Sequence, residues 1–126
     1  MNSDTMLLRQ VHPTFSQNGR VSSQAFRPSP KDESLLSVYD GEQISPAAAH
    51  DHYTGTLGCS SIGVMGVQVR ECEALELPAR PDPAPFREHA VIDFSSHGRK
   101  AAERKAKQLR ARAEHRDWLH RELHAG

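Results

Sequence analysis

Residues 62–69, with the sequence IGVMGVQV, constrain the fold more than any other part of the chain. The run is short, apolar and rich in β-branched residues, which favours a buried β-strand over an amphipathic helix. Side chains alternate along a strand, and here the alternation puts apolar residues on both faces. We therefore predict a central strand that other elements cover on both sides. Gly63 and Gly66 interrupt it and are predicted to mark places where a helix or another backbone comes close.

Three further segments have the composition of strands. Residues 6–12 form the first predicted strand, which Pro13 ends because proline lacks the N–H that a strand ladder needs. Residues 35–39 and 88–94 are the other two, and the second of these is expected beside the central strand. Residues 20–26 alternate only weakly and predict either a short edge strand or an extended loop.

Three segments are predicted to be helical. Ser45 followed by Pro46 is typical of a helix start and predicts a short helix over residues 47–53. One or two helical turns are expected in residues 70–76. The longest helix is predicted over residues 99–115, where good helix formers dominate. Small apolar residues recur along it at helical spacing and form a narrow stripe suited to close packing on a sheet. The stripe consists of Ala102, Ala106, Leu109 and Ala113.

The chain length of 126 residues is in the usual range for one domain. We predict a single α+β domain over residues 1–126, with a mixed β-sheet and the C-terminal basic helix packed on one face. Residues 1–5 and 124–126 are expected to be flexible, and the proline-rich residues 78–87 are expected to form a surface loop. Residues 117–123 predict a strand, and a continuing helix is the alternative.

The net charge is zero, with 16 basic and 16 acidic residues, but the two signs are unevenly distributed. Residues 1–98 carry seven Lys and Arg against twelve Asp and Glu, whereas residues 99–126 carry nine against four. The imbalance indicates either a basic helix packed on its own acidic domain or a surface for an acidic partner. The candidate partner-binding residues are Arg99, Lys100, Arg104, Lys105, Lys107, Arg110 and Arg112.

Other features limit the location and the chemistry. No apolar run approaches the length of about 18 residues that a membrane span needs, and residues 1–4 lack the parts of a signal peptide. Cys59 and Cys72 fit neither a disulfide framework nor a zinc motif and are predicted to be buried free thiols. We therefore expect a cytoplasmic protein that makes no membrane contact.

Two local motifs were considered as a metal site and as a phosphate-binding or nucleophile loop, and neither has the required geometry or sequence. On the predicted helix, His50 and His52 would point about 200° apart, so we predict a solvated helix end and no metal site. The glycine-rich residues 55–63 match no phosphate-binding or nucleophile motif and predict a flexible connection. No cofactor is predicted from these segments.

A catalytic alternative comes from the order of polar residues along the predicted strands. Arg9 or His12 on the first strand, Ser22 and Ser23 before the next turn, and Glu71 after the central strand resemble in outline some small ADP-ribosyl-transferring proteins. The resemblance implies that Arg9 or His12 would hold NAD, that a serine would orient the ribose, and that Glu71 would stabilise the cation formed as nicotinamide leaves. It covers isolated positions and no contiguous motif.

The prediction with most support is a small non-catalytic binding or accessory protein that holds a protein partner. A nucleic-acid-binding module that uses the basic helix 99–116 is the first alternative, because a basic helix can contact phosphates without reading sequence. The NAD-using transferase is the second alternative. Self-association into a homo-oligomer is left open.

Overall fold

The computed structural model describes residues 1–29 and 33–122 and contains a six-stranded sheet with helices on both faces. The strands are β1 (Met6–Val11), β2 (Ser16–Gln17), β3 (Arg20–Val21), β4 (Leu35–Asp40), β5 (Gly63–Gln68), β6 (Ala79–Pro81), β7 (His89–Asp93) and β8 (His120–Arg121). The α-helices are α1 (Pro46–Asp51), α2 (Val69–Glu73) and α3 (Arg99–Arg116). Short 3₁₀ turns occupy Pro13–Phe15 and Ser23–Phe26, and a π-helical turn occupies His52–Thr56. The sheet order is β6-β7-β4-β1-β5-β8, while β2 and β3 form a separate pair.

The α+β class and the packing of the C-terminal helix on one face of the sheet are confirmed. Every described strand pair is antiparallel, whereas a mixed sheet was predicted. The physical reason lies in the connections. Adjacent parallel strands need a long crossover between them. Each α-helix here joins two strands that are not neighbours in the sheet, so none of them forms such a crossover.

The strand predicted at residues 62–69 is present as β5, but it does not lie in the middle of the sheet. β5 lies between β1 and the two-residue strand β8, and the middle of the sheet is the pair β1 and β4. The prediction that residues 88–94 lie beside β5 is wrong, because β7 pairs with β4 and β6. Composition indicates that a strand is buried, but it does not say which neighbour the strand pairs with.

Both faces of β5 are covered, as predicted. Met65 and Val67 belong to the large core between the sheet and α3, and Val64 belongs to a smaller core on the α1 side. In α3, Ala106, Leu109 and Ala113 are fully buried, which confirms the predicted stripe. The small residues let the helix approach the sheet closely.

The end of the chain returns to the sheet. Helix α3 ends at Arg116, and Asp117 takes a left-handed φ of 72°, which turns the backbone back towards β5. Gly63 and Val64 then pair with Arg121 and His120, so the strand predicted within residues 117–123 is confirmed at His120–Arg121. Leu123 and the predicted flexible residues 124–126 lie outside the described residues.

Three segments differ from their predictions in detail. Residues 20–26 contain the short strand β3 and a 3₁₀ turn. The predicted loop 78–87 contains the edge strand β6, where Pro81 is tolerated because an edge strand leaves one side unpaired. Residues 1–5, which were predicted to be flexible, are tied to the body, since Thr5 is buried and its hydroxyl donates to Glu42 at 2.8 Å.

Candidate functional site

Two of the predicted partner-binding side chains of α3 are turned inward. Lys105 Nζ donates to the carbonyl of Leu75 at 2.6 Å, and Arg110 Nη1 lies 3.5 Å from the carbonyl of Val21. Both residues are half-buried. These two predicted partner-binding residues therefore hold α3 against its own domain.

Three others face outward and are called the cationic face of α3: Lys100, Arg104 and Lys107, all of them exposed. Arg112 is exposed as well, but it lies roughly 110° around the helix from these three, and its charge acts on Glu71. No exposed residue of α3 is acidic, because Glu103 and Glu114 are half-buried. Arg99 is exposed as well, but its Nε lies 3.5 Å from Glu103, which also pairs with Arg27 at 3.4 Å. The three side chains lie within about 10 Å along this 18-residue helix, so one macromolecular partner can contact all of them.

Arg116 was not among the predicted site residues, yet it makes the best-buried ion pair of α3. Its Nη1 donates to the carbonyl of Gly66 at 2.8 Å, and its Nη2 donates to Glu71 at 3.1 Å. Glu71 also accepts the backbone N–H of Gln68 at 2.8 Å, which caps the start of α2. Burial alone would raise the pKa of Glu71, but the bonds from Arg116 and Gln68 outweigh it and lower the pKa.

Replacing Glu71 with glutamine is expected to reduce the acid sensitivity of the protein. Because the folded-state pKa is lowered, the stabilisation by ionised Glu71 is present above the unfolded pKa of about 4.3 and is lost as the pH falls through the folded value. At neutral pH the substitution should cost about 2 kcal/mol, since it leaves Arg116 without its charge partner. Urea titrations from pH 7 to pH 3 measure both effects, with Glu73→Gln on the exposed side of α2 as the control. A parallel loss of stability in both variants at every pH would contradict the assignment.

The residues of the catalytic alternative are not brought together by the described contacts. Arg9 pairs with Met65 in the middle of the β1–β5 ladder, and His12 follows the end of β1. Glu71 lies in α2, beyond the opposite end of that ladder.

The two serines also have local roles in the structure. Ser22 accepts the backbone N–H of Gln24 and caps a 3₁₀ turn, and Ser23 is the first residue of that turn. Arg9 contacts the turn that begins at Ser23, through the carbonyl of Ala25, but no described contact brings Glu71 to Arg9 or to the serines.

Arg9 instead occupies a gap between the two middle strands. The ladder between β1 and β4 contains only the pairs Leu7↔Asp40 and Leu8↔Tyr39, although both strands continue beyond them. Past this point the guanidinium of Arg9 replaces the missing ladder, because its Nη1 donates to the carbonyl of Ser37 at 2.8 Å.

The Nε of Arg9 donates to the carbonyl of Ala25 at 2.6 Å. These two bonds fix the cation where the strands separate.

A cleft of about 550 Å³ opens at this gap. Its walls come from β1, β4, the π-helical turn and the segment that leads into β7. We call it the β1–β4 cleft and define it by Arg9, Gln10, Tyr39, Tyr53, Leu57 and Phe86. Tyr39, Tyr53 and Phe86 pack with the small core on the α1 side of the sheet. Arg9 leaves β1 on the opposite face, with Leu7 and Val11, and bonds the carbonyl of Ala25 in the large core on the α3 side.

The floor of the cleft contains an unusual polar group. Gln10 is only 6% exposed, and its Oε1 accepts the hydroxyl of Ser61 at 2.7 Å. Its Nε2 has no hydrogen-bond partner among the residues that the structure describes. A buried donor without an acceptor destabilises a fold, and functional sites are where such groups are tolerated.

The aromatic wall is built around Phe86. Its ring centroid lies 5.0 Å from that of Tyr39 and 4.7 Å from that of His52, and the Tyr39 hydroxyl bonds His52 Nδ1 at 2.8 Å. Burial raises the pKa of both Tyr39 and Tyr53 above the ordinary tyrosine value, so both hydroxyls stay neutral. The lining thus contains the cation of Arg9, the carboxylate of Asp82, neutral polar groups and flat apolar surfaces.

The histidine and cysteine predictions are partly wrong. The helix end at His50 and His52 is not solvated: His50 is 6% exposed, with Nε2 3.0 Å from the carbonyl of Ser61, and His52 bonds Tyr39. Cys72 is buried as predicted, and burial raises the pKa of its thiol to about 12. Cys59 is exposed, because its loop lies on the surface.

Sequence reasoning missed the cleft because its residues come from four separate parts of the chain. Each carries a weak local signal: Arg9 and Gln10 are polar residues inside a predicted strand, and Phe86 is an aromatic residue in a proline-rich segment. Residues that are unusual for their predicted element are candidates for a site, but nothing in the sequence shows that these residues lie together in space.

Comparisons with protein-family models, with curated proteins and with solved structures find no significant match. In residues 1–29 and 33–122, no helix combines the length and the apolarity that crossing a bilayer requires.

Proposed function

We propose that this protein is a small non-catalytic binding protein that holds an acidic protein partner on the cationic face of α3. The observation that carries the proposal is the sorting of charge on this helix. Its inward basic residues bond to their own domain, while Lys100, Arg104 and Lys107 are exposed with no acidic residue exposed among them.

Ion pairs with the rest of the domain neutralise only part of the basic charge on α3. Among the described residues, the ion pairs between α3 and the rest of the chain are Arg116–Glu71 and Arg27–Glu103. Lys100, Arg104 and Lys107 form no ion pair within that part of the chain. An exposed row of like charges gains most from a partner of opposite charge, which raises the association rate and selects the partner.

A protein partner is favoured over nucleic acid by two observations. The segment Arg99–Arg116 contains no Phe, Tyr or Trp, the side chains on which bases stack best. The body of the chain is acidic, and the sequence pI of about 7.1 is well below that typical of nucleic-acid-binding domains.

The two cysteines are unpaired, which fits a reducing compartment, and we include a cytoplasmic location in the proposal.

The test compares two double variants with the same change in net charge. Arg104→Glu/Lys107→Glu should weaken binding of a fluorescein-labelled Glu-rich peptide of about 20 residues at least tenfold at roughly 50 mM salt, because the cationic face loses its positive potential. Arg20→Glu/Arg87→Glu alters exposed residues outside α3 and should change the affinity less than about twofold. Fluorescence anisotropy measures both.

Three outcomes would overturn the proposal. Absence of peptide binding at low salt would remove its basis, and equal effects of the two double variants would show that the cationic face is not the surface. Tighter binding of a labelled oligonucleotide than of the peptide would favour the nucleic-acid alternative. Sedimentation velocity on the same samples would detect self-association through this face.

A further inference from the structure

The cationic face of α3 is the first part of a straight row of exposed side chains along the helix. The row contains Lys100, Arg104, Lys107, Ala111 and His115, all of them exposed. Successive members are three or four residues apart, so they lie within an arc of about 80° on the helix surface. The three cations therefore form a line parallel to the helix axis and not a round patch.

The line of positive charge is narrow, because the residues on either side of it are acidic or uncharged. Glu103 and Glu114 lie about 50–70° around the helix on one side, and Gln108 lies about as far on the other. Both glutamates are next to arginines, Glu103 at 3.4 Å from Arg27 and Glu114 at 3.9 Å from Arg110. These neighbouring positions add no positive charge to the line. An acidic group on the partner loses attraction as soon as it is displaced sideways.

The spacing of the line matches an α-helix better than an extended chain. The steps from Lys100 to Arg104 and from Arg104 to Lys107 correspond to rises of about 6 Å and 4.5 Å along the axis. Acidic residues three and four apart on a second helix have the same rises and all lie on one face. In a strand, side chains on one face are about 6.8 Å apart, so three of them extend about 3 Å beyond this line.

The residue that follows the three cations leaves room for a neighbouring helix. Ala111 is exposed and carries a single side-chain carbon, so a second helix can come within the usual interaxial distance of about 8–10 Å beside it.

We propose that the partner of the cationic face is an α-helix with acidic residues three and four apart, which lies lengthwise along α3 from Lys100 to Ala111. This inference rests on the proposed function, because it specifies the structure of the acidic protein partner. Like charges at this spacing destabilise an isolated helix. The cations of α3 remove that repulsion, so the partner segment gains helix on binding.

The experiment compares labelled peptides of equal length and equal charge by fluorescence anisotropy. The face peptide has glutamates alternately three and four residues apart in a background of alanine and glutamine. The scattered peptide has the same composition with the glutamates spread around the helix, and the proline peptide is the face peptide with prolines in place of its central alanines. The face peptide should bind at least about fivefold tighter than either of the others, because only it forms a helix with one acidic face. Transferred NOEs should join Hα of residue i to Hβ of residue i+3 in the bound face peptide.

Two protein variants test the line itself by removing one exposed cation each from the same helix. Arg104→Gln should weaken binding of the face peptide about fivefold at roughly 150 mM salt, where the Debye length is about 8 Å. Arg112→Gln should weaken it less than about twofold, because Arg112 lies roughly 110° around the helix from the line. Thermal melting of both variants checks that each is folded.

The outcomes separate this inference from the proposed function. Equal affinity for the three peptides, with binding still weakened by Arg104→Gln, would overturn the helical partner and leave the proposed function in place. Absence of binding by every peptide at roughly 50 mM salt would overturn both. A bound face peptide without the NOEs between residues i and i+3 would show an extended partner and contradict the inference. Equal weakening by Arg104→Gln and Arg112→Gln would show that the total charge of α3, and not the line, attracts the peptide.

Discussion

Replacing Gly63 with alanine is expected to lower the free energy of unfolding by about 3 kcal/mol, because β8 leaves no room for another carbon atom. A Cβ at this position would lie 2.6 Å from the backbone oxygen of His120 and 2.8 Å from the ring of Trp118. The carbonyl belongs to the neighbouring strand and cannot move without breaking the pairing of Gly63 with Arg121. The melting temperature should fall by roughly 10 °C.

The matched control is Gly55→Ala in the π-helical turn, where a Cβ would meet no atom within 4 Å. Thermal unfolding followed by circular dichroism should place this control within about 0.5 kcal/mol of the parent protein. Equal stability of the Gly63 and Gly55 variants would show that the end of the chain does not pack on β5 in solution.

Truncation of Leu109 to alanine is expected to cost about 3–4 kcal/mol, the largest single loss on α3. Its side chain is fully buried in the large core and is the only member of the small-residue stripe with more than one side-chain carbon. Its removal leaves a cavity that the neighbouring alanines cannot fill. Urea unfolding measures the change.

The neighbouring substitution Gln108→Ala provides the comparison, because Gln108 is exposed on the other face of the same helix. It should change the free energy of unfolding by less than about 0.5 kcal/mol, since alanine and glutamine have similar helix propensities. If both substitutions had the same small effect, α3 would not be packed on the sheet through its stripe.

Local patterns predicted the elements well where the pattern has one physical interpretation. The apolar run of β5, the serine and proline that start α1, and the helix formers of α3 each specify local geometry through propensity and burial. The expected close approach at Gly63 is confirmed by the backbone of β8. Gly66 differs only in that side chains of Leu119 and Met6 approach it.

Prediction of the candidate sites was less complete. The sequence identified the basic helix, but only the tertiary contacts separate the inward Lys105 and Arg110 from the outward Lys100, Arg104 and Lys107. The helix carries basic residues around most of its circumference, so periodicity alone could not sort them. The solvated end predicted for α1 failed because β4 and residue Ser61, distant in the chain, supply partners to its histidines.

The amino-acid sequence by itself determined the α+β class, the buried strand at β5 and the basic helix with its narrow apolar stripe, because these depend on interactions between residues close in the chain. Only the tertiary structure decided the order of the strands, the return of the chain end to β5, and the gap between β1 and β4 that Arg9 fills. Strand order and ladder length depend on which distant segments pair with each other and on how much apolar surface each pairing buries. These free energies depend on the whole chain, so a local sequence pattern does not predict them.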